Sequence, residues 1–338
     1  MSRDPKQRKK RLDRGIKVRS GDIFVLTSWR EMLYVLVPRV LPMLFILVFI
    51  LVATPYWKRV LVSMAMTGIL ALSWDLLVST GLVSLGQALF FGMGAYVAGT
   101  LNHAWGWPYW ATIPIATIGG GLICTLSLIP VLRLRGIYFA MITLVLPLVL
   151  VRIIEATKIF GGTEGLSGLS TFHYAAEELG ISLLAFAAVL FGFRRLMGTD
   201  YGLVLQGIRD NDLSVISAGI NIYWYKAQAL FLAGSAGAFA GAFMTHAYMF
   251  VGMPVFALDY SILPIASAVV GGMGTLAGPA LGACILVPLS EALRAMGPLR
   301  VVCYGLFLVV FTVAIPEGIF PYLQRKYHQF EYWVKVEV

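Results

Sequence analysis

The chain has 338 residues, a net charge of +9 from 26 Lys and Arg against 17 Asp and Glu, 59% hydrophobic residues and a mean hydropathy of +0.82. Charged residues make up only 13% of it, about half the roughly 25% of an ordinary soluble domain. A soluble globular protein is thereby excluded, and the class is an all-α polytopic membrane protein. The basic excess is read as the positive-inside bias of membrane loops, with no nucleic-acid partner.

Residues 1–37 form a polar, basic cytoplasmic tail. Lys6, Arg8, Lys9, Lys10, Arg11, Arg14, Lys17 and Arg19 precede any hydrophobic segment, which suits a solvated tail touching anionic lipid. The run is too long and too basic for a secretory signal and lacks a small-residue cleavage site. Ile23 to Val37 can form an interfacial helix with Trp29 and Tyr34 at headgroup level.

A transmembrane domain follows over 38–320. A span needs about 20 apolar residues, which predicts about ten segments near 39–56, 60–79, 82–101, 109–131, 136–154, 180–197, 227–247, 258–274, 277–296 and 299–316. With both termini cytoplasmic, 321–338 being the second tail, only Lys58, Arg59, Arg152, Lys158, Arg294 and Arg300 of the 26 basic residues fall outside. That asymmetry is the one the positive-inside rule requires. The loop 155–179 is then external, and acidic through Glu155, Glu164, Glu177 and Glu178. One segment, 258–274, contains Pro264 and ends in Val270-Gly271-Gly272-Met273-Gly274. It could be broken or re-entrant, and such interrupted segments often line a translocation path.

Between two apolar blocks stands a cytoplasmic loop, 198–226. Within it Arg209, Asp210, Asn211 and Asp212 are flanked by Leu205, Ile208, Leu213 and Ile216 at intervals of three to five, a spacing that predicts a short amphipathic helix. Glycines recur elsewhere. Gly92 to Gly99 is similar to Gly272 to Gly278, a faint trace of duplication. Gly237 and Gly241, like Gly274, Gly278 and Gly282, have the small-xxx-small spacing that lets helices pack closely. Packing is the plain reading of these glycines and lining a path the sharper one.

Catalytic signatures are missing. No Gly-Lys pair exists for a P-loop, and His103, His173, His246 and His328 are scattered, with no metal-ligand spacing. No G-x-S-x-G nucleophile elbow stands on a strand-to-helix turn. Cys124, Cys284 and Cys303 lie in apolar runs without paired spacing, so neither a disulfide framework nor a metal site is expected. Two intramembrane features carry charge. Asp75 lies near the cytoplasmic boundary, where it can reach water or cap the next helix, or serve transport. Glu291 and Arg294, at i and i+3, form a local pair. The composition describes a conduit with no energy source of its own.

Five motifs, in order, then resemble one family. Ser84-Leu85-Gly86-Gln87-Ala88-Leu89-Phe90-Phe91-Gly92-Met93-Gly94-Ala95-Tyr96 is similar to SLGHAAFFGIGAY, with Gln87 where histidine is common. Leu132 to Ala140 resembles LRLRGLYFA. Gly161-Gly162-Thr163-Glu164-Gly165-Leu166 resembles TGG-x-x-GL, with Phe160 in place of threonine. Gly207 to Asp212 with Ala218-Gly219-Ile220 resembles AIREDE…A-x-GI. Val270 to Pro279 with Leu281-Gly282-Ala283 resembles GG-x-G-[ST]-x-x-GP-x-x-GA. Together they cover roughly residues 60 to 320. On them the chain is identified as a member of the branched-chain amino acid ABC transporter permease family, resembling its M-type (LivM-like) subunit.

The resemblance implies a subunit, not an enzyme, of an importer in the prokaryotic inner membrane, carrying branched-chain or related hydrophobic amino acids. Its implied partners are a second, H-type permease subunit, two ATP-binding cassette subunits and an extracytoplasmic substrate-binding protein. No cofactor is expected on this chain, because ATP binds the partner subunits. Leu205, Ile208, Arg209, Asp210, Asp212 and Gly219 become ATPase-coupling residues, with Leu205, Ile208 and Leu213 as anchors and Gly219 ending the helix. Gln87, Gly92, Gly94, Gly272 and Gly274 are candidates for the translocation path, although Gln87 can equally bond a neighbouring helix. The alternatives are a urea or short-chain amide permease of the same family and an ion-coupled secondary transporter.

Overall fold

The computed structural model describes residues 7–11, 54–134, 136–297, 299–328 and 331–335. The expected interfacial helix over 23–37 and nearly all of the span at 39–56 lie outside these residues. The chain divides into two compact units, Met1–Arg59 with Pro321–Val338, and Val60–Phe320. In the first unit Gln7–Arg11 pairs antiparallel with Glu331–Lys335, Gln7 standing opposite Lys335. A strand in the basic tail was not anticipated.

The helices, in chain order, are α1 (Pro55–Val78), α2 (Gln87–Trp105), α3 (Tyr109–Leu128), α4 (Ile137–Thr157), α5 (Ala175–Met197), α6 (Asp200–Asp210), α7 (Asp212–Ser217), α8 (Ile222–Tyr248), α9 (Asp259–Gly271), α10 (Ala277–Ala292), α11 (Leu299–Ala314) and α12 (Ile319–His328). Among the described residues, six helical stretches are long and apolar enough to cross a membrane: Pro55–Val78, Tyr109–Arg133, Ile137–Thr157, Ala175–Met197, Ile222–Tyr248 and Met253–Gly271. The protein is thus a multi-pass, all-α membrane protein, as its composition requires.

Helix α2 falls short of that hydropathy because it carries Gln87, Asn102 and three glycines, yet it is among the most enclosed helices. Packing against α3, α8 and α9 shields it from lipid, so its own apolarity need not be high. Helix α1 is likewise almost wholly buried, whereas α5 is exposed along nearly its whole length and presents Leu184 and Phe191 outward.

The α2–α3–α8 seam depends on small residues. A Cβ on Gly241 would collide with the backbone carbonyl of Phe91, and one on Gly94 with the backbone of Ala238. Lipid offers no hydrophobic drive for association, so backbone proximity and dispersion hold such a seam together. The packing reading of Gly237 and Gly241 therefore holds, Gly237 lying against Phe90.

The two similar glycine runs adopt different structures. Gly92 to Gly99 is continuous helix inside α2, whereas Gly272 to Leu276 is the turn between α9 and α10. The local likeness does not extend to conformation.

The 258–274 segment is resolved into parts. The 3₁₀ turn Met253–Phe256 leads into α9, and Pro264 sits inside that helix without ending it. The helix ends at Gly272, whose φ of 114° only glycine adopts readily. Helix α10 returns against α9 with close backbone contact, Gly271 against Gly278 and Gly282 against Ser267. At 16 residues α10 is about 24 Å long, short of the roughly 30 Å hydrocarbon core.

Candidate functional site

The 198–226 loop contains two helices where one was expected. Asn211 separates α6 from α7 in extended conformation (φ −158°, ψ 99°), and its side-chain oxygen accepts hydrogen bonds from the amides of Leu213 (3.1 Å) and Ser214 (3.3 Å). An asparagine in that role breaks one helix and starts the next. The periodicity that suggested a single helix runs across this cap, with two side chains on each side of it.

The break sorts the apolar residues. Leu205 and Ile208 on α6 are buried in the protein's own interior, whereas Leu213 and Ile216 on α7 are 61% and 44% exposed. Leu203 on α6 is exposed as well. The anchoring set of the sequence reading is therefore split. Leu205 and Ile208 hold the loop to its own bundle, and only Leu213 of that set presents apolar surface outward.

Arg209 and Asp210 form an exposed ion pair, Nε to Oδ1 at 3.1 Å, a contact worth at most about 1 kcal/mol at such a site. Asp212 opens α7, where a carboxylate complements the helix N-terminus. Gly219 follows the end of α7 with φ 81°, and its amide donates to the carbonyl of Ile216 at 2.9 Å. It ends the helix as predicted. At the other end of α6, the ring of Tyr201 lies 5.4 Å from that of Tyr225 near the start of α8, tilted by 34°. Burial pushes its phenol pKa up to about 12, the nearby Tyr225 adding to the effect, so Tyr201 stays neutral.

The path candidates occupy packing positions. Gln87 is fully buried and its Oε1 accepts from Ser73 on α1 at 3.3 Å. Of the two readings open for it, a bond to a neighbouring helix is the one observed. Gly92 faces the ring of Phe256, Gly94 faces α8, and Gly272 and Gly274 shape the α9–α10 turn. None of these five lines the cleft described next.

That cleft, of about 180 Å³, lies among α1, α2, α8, α9 and α10. Ser63 and Thr67 of α1, Tyr248 of α8, Asp259 of α9 and Ser290 and Glu291 of α10 contribute its polar groups. Glu291 is bonded to Arg294 at 2.9 Å, the i, i+3 pair expected from their spacing. Sequence reading missed the cleft because its polar residues are spread over four helices far apart in the chain. The one readable signal was the pair of acidic residues at the outer ends of two apolar segments.

Asp75 is placed by α1 with its carboxylate wholly buried. Its Oδ1 accepts from the amide of Gly274 at 2.5 Å, and its Oδ2 from the amide of Leu276 at 2.9 Å. It caps no helix: both partners lie in the turn that precedes α10, which begins at Ala277, about two hundred positions further on.

At the opposite end of the bundle, a buried polar network pins the 155–179 loop. His246 contacts Thr112 Oγ1 through Nε2 at 2.7 Å and the carbonyl of Ser170 through Nδ1 at 2.7 Å. Asn102 donates to the carbonyl of Trp107 at 2.6 Å and accepts from the amide of Ser170 at 3.0 Å. The TGG-like run ends in Leu166–Ser167, which pairs with Phe250–Val251. The loop is thus built into the protein. Among the described residues no group of three His, Cys, Asp or Glu is placed to hold a metal.

An apolar multi-pass bundle with an exposed pair of short helices in the 198–226 loop defines a membrane protein in general. The comparisons narrow that class. The family described as branched-chain amino acid transport system / permease component matches residues 56–315, and the chain belongs to it. It is 28% identical over 273 residues to the high-affinity branched-chain amino acid transport system permease protein LivM of Escherichia coli strain K12, covering 72% of this chain and 64% of that one. The same figures hold for the LivM of Salmonella typhimurium. The probable branched-chain amino acid transport permease protein LivM of Methanocaldococcus jannaschii is 25% identical over 179 residues, covering 50% of this chain and 52% of that one. The chain therefore spans less than two thirds (64%) of the length of the first two relatives. No solved structure matches it.

Proposed function

We propose that this chain is the LivM-like permease subunit of an ABC importer for branched-chain or related hydrophobic amino acids, driven by separate ATPase subunits that dock on α6 and α7. The observation that carries the reading is the α6–α7 pair, whose Leu213 and Ile216 present apolar surface among charged residues on a loop that basic-residue asymmetry assigns to the cytoplasm. Exposed apolar side chains rimmed by charge mark a protein interface. The sequence holds no P-loop to supply energy from within.

The inner membrane is the site of action, with an H-type permease subunit and an extracytoplasmic binding protein completing the assembly. The cleft among α1, α8, α9 and α10 is this subunit's share of the path. Its volume lies below the roughly 300 Å³ of ordinary ligand pockets, as suits a half-site completed by a second permease chain. Specificity rests mainly with the binding protein, since the cleft is only this subunit's share of the path.

Proteoliposomes holding this chain alone are expected to show no leucine uptake under a proton or sodium gradient. Adding the second permease subunit, the ATPases, ATP and the binding protein restores it. Gradient-driven uptake by the chain alone overturns the reading in favour of a secondary carrier. Uptake of urea or a short-chain amide, with none of leucine, favours the related amide permease.

A further inference from the structure

Asp75 is a charged group wholly enclosed by a membrane bundle, and both of its oxygens are committed to one five-residue turn. Gly272 to Leu276 links α9 to α10, and the carboxylate takes the amides of Gly274 and Leu276 at its tip. The turn is wound tightly. Gly272 and Gly274 have φ of 114° and 77°, and Leu276 has φ 57° and ψ −43°. With the amide of Ala277 donating to the carbonyl of Thr275 at 2.6 Å, Leu276 stands at the centre of a γ-turn of the rare positive-φ kind. A branched-chain residue keeps such a conformation only where its surroundings enforce it, and the second oxygen of Asp75 is bonded to its amide.

The same turn touches the cytoplasmic helix pair. Arg209 closes α6, and its Nη1 lies 3.4 Å from the point where a Cβ on Gly274 would stand. Its Cα lies equally close to the corresponding point of Gly81, in the turn that follows α1. The positive charge of Arg209 acts on the buried carboxylate. One end of α6 thus rests both on the turn that Asp75 holds and on the turn that follows α1. Beyond the tied turn run α9 and α10, which supply Asp259, Tyr260, Leu263, Val287, Ser290 and Glu291 to the cleft.

We propose that Asp75 is a positioning residue that fastens the α9–α10 hairpin to the end of α1 under Arg209, so that displacement of α6 and α7 moves the hairpin that walls the cleft. This rests on the reading of α6 and α7 as the ATPase contact. Asp75 touches no substrate. Its two hydrogen bonds make the turn and α1 move as one body, and the Arg209 side chain presses on that body when the cytoplasmic helices shift.

The test uses the complete importer in proteoliposomes and reads ATP hydrolysed per leucine imported. Asp75→Asn offers an NH₂ where one backbone amide needs an acceptor, and the ratio is expected to rise at least tenfold while the ATPase subunits still co-purify. A purely structural role would lower assembly and uptake together and leave the ratio unchanged, which overturns the proposal. If Asp75→Asn does not accumulate, Arg209→Gln decides, since Arg209 is on the surface; a raised ratio supports the proposal and an unchanged one overturns it. The docking reading is separable. Loss of ATPase binding in the Leu213→Asp/Ile216→Asp variant, with normal coupling in Asp75→Asn, refutes the role of Asp75 alone.

Discussion

Changing Leu213 and Ile216 together to aspartate is expected to strip the ATPase subunits from the purified complex and to lower uptake at least tenfold, with the variant accumulating normally. Both side chains lie on one face of α7 at i, i+3, and both are already largely exposed. Their replacement therefore removes little from the protein's own packing. Burying a Leu or Ile at an interface is worth roughly 1.5–3 kcal/mol, and tenfold in affinity needs only about 1.4 kcal/mol. Co-purification of the ATPases checks it directly. The paired substitution Leu205→Asp/Ile208→Asp should behave differently, failing to accumulate because those side chains are enclosed.

Gly241→Leu is expected to abolish accumulation of the folded protein. A Cβ there would meet the carbonyl of Phe91, and Gly94 meets Ala238 along the same seam. Overpacking a side chain against other side chains costs about 1–3 kcal/mol. Here the obstacle is backbone, which cannot rotate aside, so α2 and α8 must separate along their length. Gly241→Ala should show a weaker form of the same defect. The measurement is the monodisperse yield in detergent and the melting temperature of what remains. Gly180→Leu on lipid-facing α5, where a Cβ meets nothing, is the control expected to leave both unchanged.

Much of the architecture was legible because the bilayer imposes it. Apolar runs of the required length mark the helices, and most of the charge falls between them. Both ends of α4 and the C-terminal ends of α5 and α8 fall close to those expected, whereas α5 and α8 begin five residues before 180 and 227. The start of α2 differs by as much in the other direction. A span was expected from residue 82, yet the helix begins at Gln87. Residues 80–86 form an irregular, partly buried turn instead, with the amide of Leu85 donating to Thr143 Oγ1 at 3.1 Å and Trp74 Nε1 to the carbonyl of Ser84 at 2.6 Å. Hydropathy cannot register such a turn, because its polar groups are satisfied by partners remote in sequence.

The site was legible in its address and not in its geometry. Arg209, Asp210, Asp212 and Gly219 stood out because charge is rare in this chain, and Gly219 ends α7 as read. The break at Asn211 was missed because a capping asparagine inside a charged run looks like one more polar residue. Asp75 was visible as an intramembrane carboxylate, but Gly274 and Leu276 lie about two hundred positions away. Nothing in local spacing could have paired them. The glycines proposed for the path are ambiguous for a related reason. Glycine marks both close packing and a pore, and only the neighbours, Phe256 at Gly92 and Ala238 at Gly94, distinguish the two.

The central claim is that energy from another chain enters at α7. A photo-crosslinking residue placed at Leu213 in the complete importer tests it most directly. Irradiation is expected to join this chain to an ATPase subunit, with a yield that changes between the nucleotide-free and ATP-bound complex. Cross-links to lipid or to the other permease subunit alone, in a complex that still transports, would contradict the assignment of α6 and α7 as the docking site.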